Sequence, residues 1–298
     1  MLASILGGGH SVRFNNDRIQ TLYNYTKYVA ENKTAKPRIT KIDKEVNLKV
    51  KKIGLSITTF SYEKTPERRY EITRKSFETL KNTVNYLDEN LIIEILVDGS
   101  FTPEHKVILD EYSQYFKIIY KDHNGGIAKA KNTCIKRLYD QGCDLILLAD
   151  DDILYYDGWL DFYKTNIEKT GINFIYRDIK KFGIIDIREI NGVSVQCVHD
   201  HYGCFMGFTR ETIDKVGYFP VTNSKYGYEH NIYTKLCIKN GLIPEEYDFV
   251  GSEKYININK ESIGKSACDI RSDEFSSKPS QELYDKWDSI EIPIKCIE

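Results

Sequence analysis

The sequence lacks the patterns that would place it in a membrane or in a disulfide-stabilised fold. None of its 298 residues lies in an apolar run approaching the roughly 18 residues of a membrane span. The N-terminus has neither the cationic start nor the long apolar core of a signal peptide. The 7 cysteines are scattered and form no CxxC pair, so neither a disulfide framework nor a zinc site is indicated. We therefore expect a soluble protein of a reducing compartment, the cytoplasm.

The sequence also has little net charge. Its 42 Lys and Arg residues nearly balance its 44 Asp and Glu residues, which leaves a net charge of −2 and no general attraction to nucleic acid or membrane surfaces. The exception is the segment from Lys33 to Lys52, in which basic residues outnumber acidic ones. We interpret this segment as a solvated connector, and binding of an anionic acceptor or of a lipid surface is the alternative.

A length of 298 residues is large for one hydrophobic core and small for two. We expect one main domain at residues 51–250, preceded by a helical and basic arm at 1–50 and followed by a C-terminal tail at 251–298. The arm contains a predicted helix at 17–32. Because the tail is polar and irregular, we expect it to pack loosely.

From Ile53 onward, apolar strand-like runs alternate with helical runs. The predicted strands are 53–60, 91–97, 117–120 and 145–149, and the helices between them are 66–82, 103–115 and 126–139. Strands separated by helices of this length favour an α/β fold with a mainly parallel, Rossmann-like central sheet. Three closely spaced runs at 172–177, 182–187 and 193–198 predict a small antiparallel excursion beside it. Further helices are predicted after Trp159, at 209–216 and at 229–240.

Three carboxylates follow the most apolar of these strands. Leu145 to Ala149 are five apolar residues in succession, which is typical of a strand buried on both faces. Since a buried strand cannot hold charge, Asp150, Asp151 and Asp152 are expected where the chain leaves the sheet. Ligands bind at that edge of open α/β sheets, and clustered carboxylates there suit a divalent cation that holds phosphate. An acidic surface turn is the alternative.

Short motifs also follow the other strands. Thr58-Thr59-Phe60-Ser61 ends the first strand, Val97-Asp98-Gly99-Ser100 ends the second, and His123 to Asn132 (HNGGIAKAKN) opens the third helix. Together with Asp150-Asp151-Asp152, and in this order, they resemble the GT-A glycosyltransferases, above all family 2 and its relatives. The resemblance runs from about Ile53 to Gly241 and implies the GT-A fold.

The resemblance implies that the first two motifs bind the nucleotide. Thr58, Thr59 and Phe60 stand where the family places residues against the nucleotide base, and a core phenylalanine at a strand end is the alternative for Phe60. Asp98 stands where the family has a carboxylate that accepts a hydrogen bond from uracil, which favours a UDP-sugar as donor. A simple Asp-Gly turn is the alternative for Asp98.

The third motif is similar to the family's Asn-x-Gly-x-x-x-Ala-Arg-Asn at Asn124, Gly126, Ala130 and Asn132, and the resemblance implies that Asn124 and Gly126 bind the donor. Lys131 occupies the place of the usual arginine. The resemblance implies that it pairs with the donor diphosphate, as a point charge and not as a fork. Glycines open the helix there, so the backbone can approach an anion that the helix N-terminus favours.

Asp150, Asp151 and Asp152 resemble the family's Asp-x-Asp motif. The resemblance implies that Asp150 and Asp151 contribute to donor binding, with Asp150 facing the ribose or the metal. Asp152 is implied as a ligand of a Mn²⁺ or Mg²⁺ ion that bridges the diphosphate and neutralises the leaving nucleoside diphosphate. No other cofactor is implied.

The segment Tyr226-Gly227-Tyr228-Glu229-His230 is similar to the family's Gly-x-Glu-Asp, in which a carboxylate deprotonates the acceptor hydroxyl in inverting members. His230 in the second acidic position is a departure from the family. Three interpretations stay open: Glu229 is the base, His230 is the base, or the enzyme retains configuration and needs no base. His199 and His201 are further candidates for metal binding, and a polar loop is the alternative.

The sequence therefore predicts a metal-dependent glycosyltransferase that moves a sugar from a nucleotide sugar, with a UDP-sugar favoured, to an acceptor hydroxyl. The sequence does not indicate the acceptor class, since a glycan, a protein, a lipid-linked sugar and a modified nucleic acid all fit. Two alternatives are a sugar nucleotidyltransferase that uses the loop Gly7 to Arg13, and a non-catalytic module that binds nucleotide sugars.

Overall fold

The structure, a computed structural model, describes residues 39–62, 65, 67–175, 186–198, 203–222, 227–243, 247–259 and 282–298. Ile39–Glu298 forms one compact unit. Some predicted features lie outside the described residues: the helix at 17–32, the loop Gly7 to Arg13, and the pair His199 and His201.

Strands and helices alternate along most of the described chain. In chain order the strands are β1 (Ile39–Ile42), β2 (Ile53–Thr59), β3 (Leu91–Val97), β4 (Lys117–Tyr120), β5 (Leu145–Asp150), β6 (Ile153–Tyr155), β7 (Phe174–Ile175), β8 (Asp186–Ile190), β9 (Val193–Cys197), β10 (Phe205–Thr209), β11 (Tyr247–Phe249) and β12 (Ile256–Ile258). The helices are α1 (Glu67–Thr83), α2 (Pro103–Tyr112), α3 (Ile127–Asp140), α4 (Trp159–Thr170), α5 (Arg210–Val216) and α6 (Glu229–Lys239). The helices predicted within this part are confirmed, and the largest difference is at α2, which ends at Tyr112 and not at Tyr115. Of the helices described, none combines the length and the apolar character that a bilayer crossing requires.

A six-stranded sheet in the order β4-β3-β2-β5-β10-β7 forms the centre of this unit. The four neighbours β4, β3, β2 and β5 are parallel. Strand β10 runs antiparallel to both β5 and β7. The predicted α/β fold with a mainly parallel central sheet is therefore confirmed.

Strand β5 lies in the middle of the hydrophobic core. Its residues Leu145 to Ala149 are at most 1% exposed, with β2 on one side and β10 on the other. Burying a leucine or isoleucine side chain in this way contributes about 1.5–3 kcal/mol to the free energy of unfolding. The next side chain, Asp150, is 34% exposed. Charge therefore begins where the strand leaves the core, as the sequence predicted.

A second sheet has the order β1-β8-β9-β11. Strands β8 and β9 form an antiparallel hairpin. Asn191 (φ 49°) and Gly192 (φ 76°) both have positive φ at its turn, which a type I′ turn requires and an Asn-Gly pair favours. The predicted antiparallel excursion is confirmed for the runs that form β8 and β9. The run at 172–177 was placed there wrongly, because its strand β7 pairs with β10 in the central sheet. Strand β8 begins within the predicted run 182–187, of which 182–185 lie outside the described residues, and continues to Ile190 because it pairs with β9 up to the turn.

The interpretation of the basic segment as a solvated connector is wrong for its described residues, 39–52. Strand β1 pairs in parallel with β8 along its whole length. The Lys52 amide donates a hydrogen bond to Asp144 Oδ2 (2.9 Å). Basic side chains such as Lys41 remain exposed, at 73%. The basic composition reflects these exposed side chains. It contains no information on the backbone hydrogen bonds that β1 forms with β8.

The expected loose packing of the C-terminal tail is also wrong where the structure describes it. Strand β12 pairs antiparallel with β6, and Ile256 is buried. Further on, the Ile294 amide donates to the Val216 carbonyl (2.8 Å) and the Ile294 carbonyl accepts from the Tyr218 amide (3.1 Å). A Cβ on Gly217 would lie 2.2 Å from the Ile294 carbonyl oxygen, so glycine is needed for this approach. A polar composition does not indicate backbone pairing of this kind, so the sequence did not predict it.

Candidate active site

The carboxyl ends of β2, β3 and β5 lie side by side, and we call this edge of the central sheet the carboxyl edge. Thr58 is the register partner of Asp150, and Thr58 Oγ1 lies 3.5 Å from Asp150 Oδ1. The Asp98 amide donates to the Thr59 carbonyl (3.0 Å). Parallel strands end at the same edge of a sheet. The structure therefore brings together the predicted site residues from all three strands.

Asp151 is held by helix α1 and by the end of β2. Thr59 Oγ1 (2.5 Å) and Thr73 Oγ1 (3.0 Å) donate to its Oδ2, and Arg69 Nη2 donates to its Oδ1. The side chain is buried, and pairing with Arg69 offsets the desolvation of the carboxylate. These contacts fasten α1 to the end of β5. The donor-binding role that the resemblance implied for Asp151 stays a prediction.

Arg69 also reaches the next carboxylate. Its Nη1 lies 3.7 Å from Asp152 Oδ2, so one guanidinium lies between Asp151 and Asp152. The Asp152 carbonyl accepts a hydrogen bond from the Asn259 amide (2.8 Å), which fixes the backbone there. Sequence reasoning missed Arg69. Two successive arginines at the start of the first predicted helix are the signal that could have indicated it.

His105 contacts the end of β2 and the residues that follow it. Its Nδ1 lies 2.9 Å from Ser61 Oγ and its Nε2 lies 3.1 Å from Thr59 Oγ1. Burial lowers the pKa of His105, the charge of Asp151 opposes this shift, and Arg69 adds to it. The imidazole is therefore neutral at neutral pH and supports the loop through hydrogen bonds. No motif indicated this histidine, because its partners are distant in sequence.

Asp98 closes the N-terminus of α3. Its Oδ1 and Oδ2 accept hydrogen bonds from the amides of Gly125 (3.3 Å) and Gly126 (3.2 Å), and Lys121 Nζ lies 3.3 Å from Oδ1. Sequence reasoning assigned these amides to a donor anion, whereas here they bind a carboxylate of the chain itself. A carboxylate offers about four lone-pair positions. A further contact to uracil is compatible with these three and stays a prediction.

Asn124 shapes the turn that presents these amides. Its Oδ1 accepts a hydrogen bond from the Gly126 amide (3.0 Å). Gly99, with φ of +87°, lies so close that a Cβ there would be 2.0 Å from the Asn124 amide nitrogen. The loops after β3 and β4 are thus in direct contact, and a direct donor contact of Asn124 stays a prediction.

Lys131 extends from α3 towards Asp150 and is 2% exposed. Its Nζ donates to the Gly203 carbonyl (2.6 Å) and lies 3.8 Å from Asp150 Oδ1. The adjacent Asn132 exchanges two hydrogen bonds with the backbone of Phe219 (3.0 and 2.8 Å), which fixes the rotation of α3. An ammonium held in this way presents a fixed positive charge beside Asp150.

Asp150 lies among other acids. Partial burial raises the pKa of Asp150, the Lys131 ammonium opposes this, and repulsion from Asp152, Asp151 and Glu229 adds to it. A carboxylate whose charged form is disfavoured by burial and by like charges gains from a nearby cation. The surroundings of Asp150 therefore favour a bound positive charge.

Glu229 begins α6 and is buried. Its Oε2 accepts a hydrogen bond from the Gly227 amide (3.2 Å), and its Oε1 lies 3.3 Å from His230 Nδ1. Burial alone would raise the pKa of Glu229, but the hydrogen bond and charge of His230, the Lys131 ammonium and the backbone lower it to about 2. The carboxylate is therefore ionised at neutral pH, a state that the N-terminus of α6 also favours.

The His230 ring packs against Gly203. A Cβ on Gly203 would lie 2.7 Å from His230 Cγ. Lys131 contacts both Asp150 and the Gly203 carbonyl, the His230 ring packs against Gly203, and His230 contacts Glu229. We call these five residues the contact chain. It connects the end of β5 with the start of α6.

Aromatic residues also lie at the carboxyl edge. Phe60 directly follows β2 and is partly buried, and its contact with a nucleotide base stays a prediction. Phe101 and Tyr120 were missed by sequence reasoning. They are 39% and 45% exposed, with ring centroids 5.3 Å apart. Tyr120 is the register partner of Val97, the residue before Asp98.

A divalent cation fits Asp150 and Asp152 as part of its ligand set. Carboxylate oxygens are the ligands that Mg²⁺ and Mn²⁺ prefer, and these side chains are 34% and 18% exposed. Within the described ranges, no three His, Cys, Asp or Glu side chains are grouped so that they could hold a metal. Proteins commonly hold Mg²⁺ with one or two carboxylates together with substrate phosphates. The residues thus fit a cation shared with a phosphate ligand.

Comparison with known sequences identifies relatives of the chain. The family model described as glycosyl transferase family 2 matches residues 67–180. An uncharacterised glycosyltransferase of Acanthamoeba polyphaga mimivirus is 40% identical over 220 residues, which cover 72% of this chain and 84% of the relative.

Comparison with solved structures finds partial similarities at low sequence identity. The mannosyltransferase PcManGT from Pyrobaculum calidifontis, in complex with GDP-Man and Mn²⁺, gives a TM-score of 0.47 at 12% identity, over 73% of this chain and 59% of that chain. A crystal structure of S. aureus TarS gives a TM-score of 0.45 at 13% identity, over 62% of this chain and 55% of that chain. The chain thus spans less than two thirds of either structure. On the sequence relationships, the chain belongs to glycosyl transferase family 2 and is a glycosyltransferase.

Proposed function

We propose that this protein transfers a sugar from a nucleotide sugar to an acceptor hydroxyl in a reaction that depends on a divalent cation. The observation that carries the proposal is the contact chain, in which a buried ammonium beside Asp150 is joined to an ionised carboxylate at Glu229. Inverting glycosyl transfer uses both functions, because the leaving nucleoside diphosphate gains negative charge and the acceptor hydroxyl loses a proton.

On the donor side, Lys131 binds the diphosphate. Its Nζ is held by the Gly203 carbonyl before the donor arrives, so little reorganisation accompanies the reaction. Asp150 and Asp152 would hold the Mn²⁺ or Mg²⁺ ion, whose contribution is to neutralise charge on the leaving diphosphate. Arg69 keeps Asp151 and Asp152 in place from the α1 side.

On the acceptor side, Glu229 is the base. As the acceptor oxygen attacks the anomeric carbon, its proton passes to a Glu229 carboxylate oxygen. The bond between the anomeric carbon and the phosphate oxygen breaks, and its electron pair leaves with the nucleoside diphosphate. A carboxylate whose pKa is about 2 accepts this proton only as the hydroxyl becomes strongly acidic during bond formation. Attack from the face opposite the leaving group inverts the anomeric configuration.

The preferred donor is a UDP-sugar. Asp98 reads uracil by accepting its ring N–H, while Phe60 lies against the base and Thr58 and Thr59 line the same edge. This preference is supported by the position of Asp98 at the carboxyl edge, next to the helix that carries Lys131.

The acceptor class stays open among a glycan, a protein, a lipid-linked sugar and a modified nucleic acid. We propose a cytoplasmic location, which is supported by the six described cysteines, all of them free thiols. We also keep the division into an arm at 1–50, a glycosyltransferase domain at 51–250 and a tail at 251–298 as a proposal.

A screen of nucleotide sugars with Mn²⁺, Mg²⁺ or EDTA tests the proposed reaction, with nucleoside diphosphate release read by mass spectrometry. We expect UDP release from a UDP-sugar that EDTA abolishes. Asp152→Asn should lose most turnover and most donor affinity. The matched control Asp140→Asn alters a 56% exposed carboxylate on α3 and should match wild type. Unchanged UDP release by Asp152→Asn would remove the metal proposal.

The same screen distinguishes the nucleotidyltransferase alternative. That activity would form a nucleotide sugar from a nucleoside triphosphate, and deletion of residues 1–16 would abolish it. A glycosyltransferase should keep donor hydrolysis after the same deletion.

A further inference from the structure

Residues 282–298, which we call the C-terminal strap, cross elements that carry the contact chain. The Ile297 carbonyl accepts a hydrogen bond from Asn132 Nδ2 (3.2 Å), and Asn132 adjoins Lys131 on α3. Ile294 forms a bridge with Gly217 after α5. The later part of the strap is therefore anchored beside the donor side of the site.

The earlier part of the strap packs on α6. The Tyr284 ring centroid lies 5.2 Å from that of Tyr228. Lys235 Nζ, on α6, lies 5.1 Å from the Tyr284 ring and 5.3 Å from the Trp287 ring. Such cation–π contacts hold aromatic rings against a helix surface. Tyr284 is thus fixed by α6 while it lies against Tyr228.

Tyr228 has a backbone conformation that its own side chain disfavours. Its φ is 63°, in the left-handed region. A Cβ makes this conformation sterically unfavourable. The penalty lowers the population of the left-handed conformation by about 5- to 30-fold. Such a conformation persists only where the surroundings hold it. Tyr228 lies between Gly227, whose amide binds the Glu229 carboxylate, and Glu229 itself.

We infer that Tyr284 is a positioning residue for sugar transfer, whose ring holds Tyr228 in the left-handed conformation and thereby places the Glu229 carboxylate. The inference rests on the proposed role of Glu229 as the base. It makes the C-terminal strap part of the active-site architecture, although Tyr284 acts through Tyr228 and needs no contact with substrate.

Amide hydrogen exchange tests this placement without any need for activity. In Tyr284→Ala, peptides covering residues 227–234 should exchange at least about 5-fold faster than in wild type, because the turn before α6 opens more often. The matched control Tyr86→Ala removes a ring from another aromatic pair, with Tyr115 at 5.1 Å, and should leave exchange at 227–234 unchanged. Wild-type exchange in Tyr284→Ala would overturn the inference.

Kinetic measurements distinguish the positioning of Glu229 from a general loss of active-site structure. Tyr284→Ala should lower kcat for transfer by about 5- to 30-fold. The Kd for UDP should stay within about 2-fold of wild type, because Glu229 acts on the acceptor and not on the nucleotide. Equal losses in kcat and in UDP affinity, or an unchanged kcat, would contradict the inference.

A second substitution tests the backbone directly. Glycine adopts a positive φ without steric penalty. In the Tyr284→Ala background, Tyr228→Gly should therefore recover at least about 3-fold of the lost kcat, whereas Tyr228→Ala should recover none. Absence of recovery by Tyr228→Gly would overturn the inference. If wild type transfers no sugar from any donor, the proposed function fails, and the exchange experiment alone decides the role of Tyr284.

Discussion

The Gly126 amide donates a hydrogen bond to the Asp98 carboxylate (3.2 Å), so the carboxyl end of β3 is tied to the N-terminus of α3. Lys131 lies in the second turn of the same helix and is buried beside Asp150. The residue proposed to read uracil therefore also supports the helix of the residue proposed to bind the diphosphate. Replacing Asp98 distinguishes these two roles. Loss of the uracil contact should weaken UDP binding more than GDP or ADP binding, whereas loss of the support for α3 should weaken the binding of all three equally.

Asp98→Ala should destabilise the protein and weaken its preference for UDP. Two amides and Lys121 lose a buried partner, so the free energy of unfolding should fall by about 1–3 kcal/mol. Calorimetry with UDP, GDP and ADP should show the largest loss for UDP, because only uracil loses its specific acceptor. The control Asp122→Ala removes an acid from the neighbouring loop and should change neither property. Equal losses for all three nucleotides would leave Asp98 as a support of α3 alone.

Lys131→Ala should weaken diphosphate binding selectively. A hydrogen bond to a charged group contributes about 1.5–3 kcal/mol, so the Kd for UDP should rise about 10- to 100-fold. Uridine lacks the phosphates, and its Kd should stay near the wild-type value. Lys136→Ala, on the exposed face of the same helix where Lys136 pairs with Asp140, is the matched control. If UDP and uridine lose affinity equally, Lys131 supports the site without binding the diphosphate.

Asp248 should make stability depend on pH. It is buried in β11, and burial raises the pKa of Asp248 to about 8, with Glu253 adding to the shift and hydrogen bonds from Ser252 and Phe249 opposing it. The pKa in the unfolded chain is about 3.9, so the folded protein binds this proton more tightly. The stability from this group is fully present below about pH 4 and is lost as pH rises towards 8, at up to about 1.4 kcal/mol per pH unit.

Thermal unfolding of Asp248→Asn and wild type between pH 5 and pH 8 measures this effect. The amide that replaces the carboxyl group does not titrate, so the variant should gain stability relative to wild type as pH rises. Asp186→Asn alters a partly exposed carboxylate in the same sheet and should run parallel to wild type. A difference between Asp248→Asn and wild type that does not vary with pH would show that Asp248 is charged in the folded state.

Local patterns were enough to predict the four parallel strands of the central sheet and the three aspartates that follow β5. Leu145 to Ala149 could be recognised as a buried strand because five apolar residues occur in succession. The start of α6 at Glu229 was likewise predicted at the correct residue. In both cases the information lies within a few adjacent residues, where periodicity and burial are directly visible.

Contacts between distant segments could not be predicted in this way. Asp151 was grouped with the donor-binding residues, and its partners Thr59, Thr73 and Arg69 became visible only once α1 was packed beside β5. The pairing of β1 with β8 was missed for the same reason, since the basic composition of its segment describes side chains and not backbone hydrogen bonds. Register between distant strands is set by tertiary packing.

Glu229→Gln should remove the base while preserving the shape of the site. The amide cannot take up the acceptor proton, so kcat for transfer should fall by about 10²-fold or more, while the Kd for UDP should change little. His230→Ala should lower kcat by less than Glu229→Gln does, because His230 contacts Glu229 (3.3 Å) and orients it without accepting the proton. Glu211→Gln, an exposed acid on α5 that pairs with Lys215, is the matched control and should transfer sugar normally.

NMR of the product completes this test, because a base that assists direct attack predicts inversion at the anomeric carbon. The product of His230→Ala should have the same anomeric configuration as that of wild type, since the attacking direction does not depend on His230. A larger loss in His230→Ala than in Glu229→Gln would make His230 the base. Normal transfer by Glu229→Gln, or retention of configuration by wild type, would reassign Glu229 to substrate binding, because its ionised and buried carboxylate would then serve only as a fixed hydrogen-bond acceptor beside Lys131.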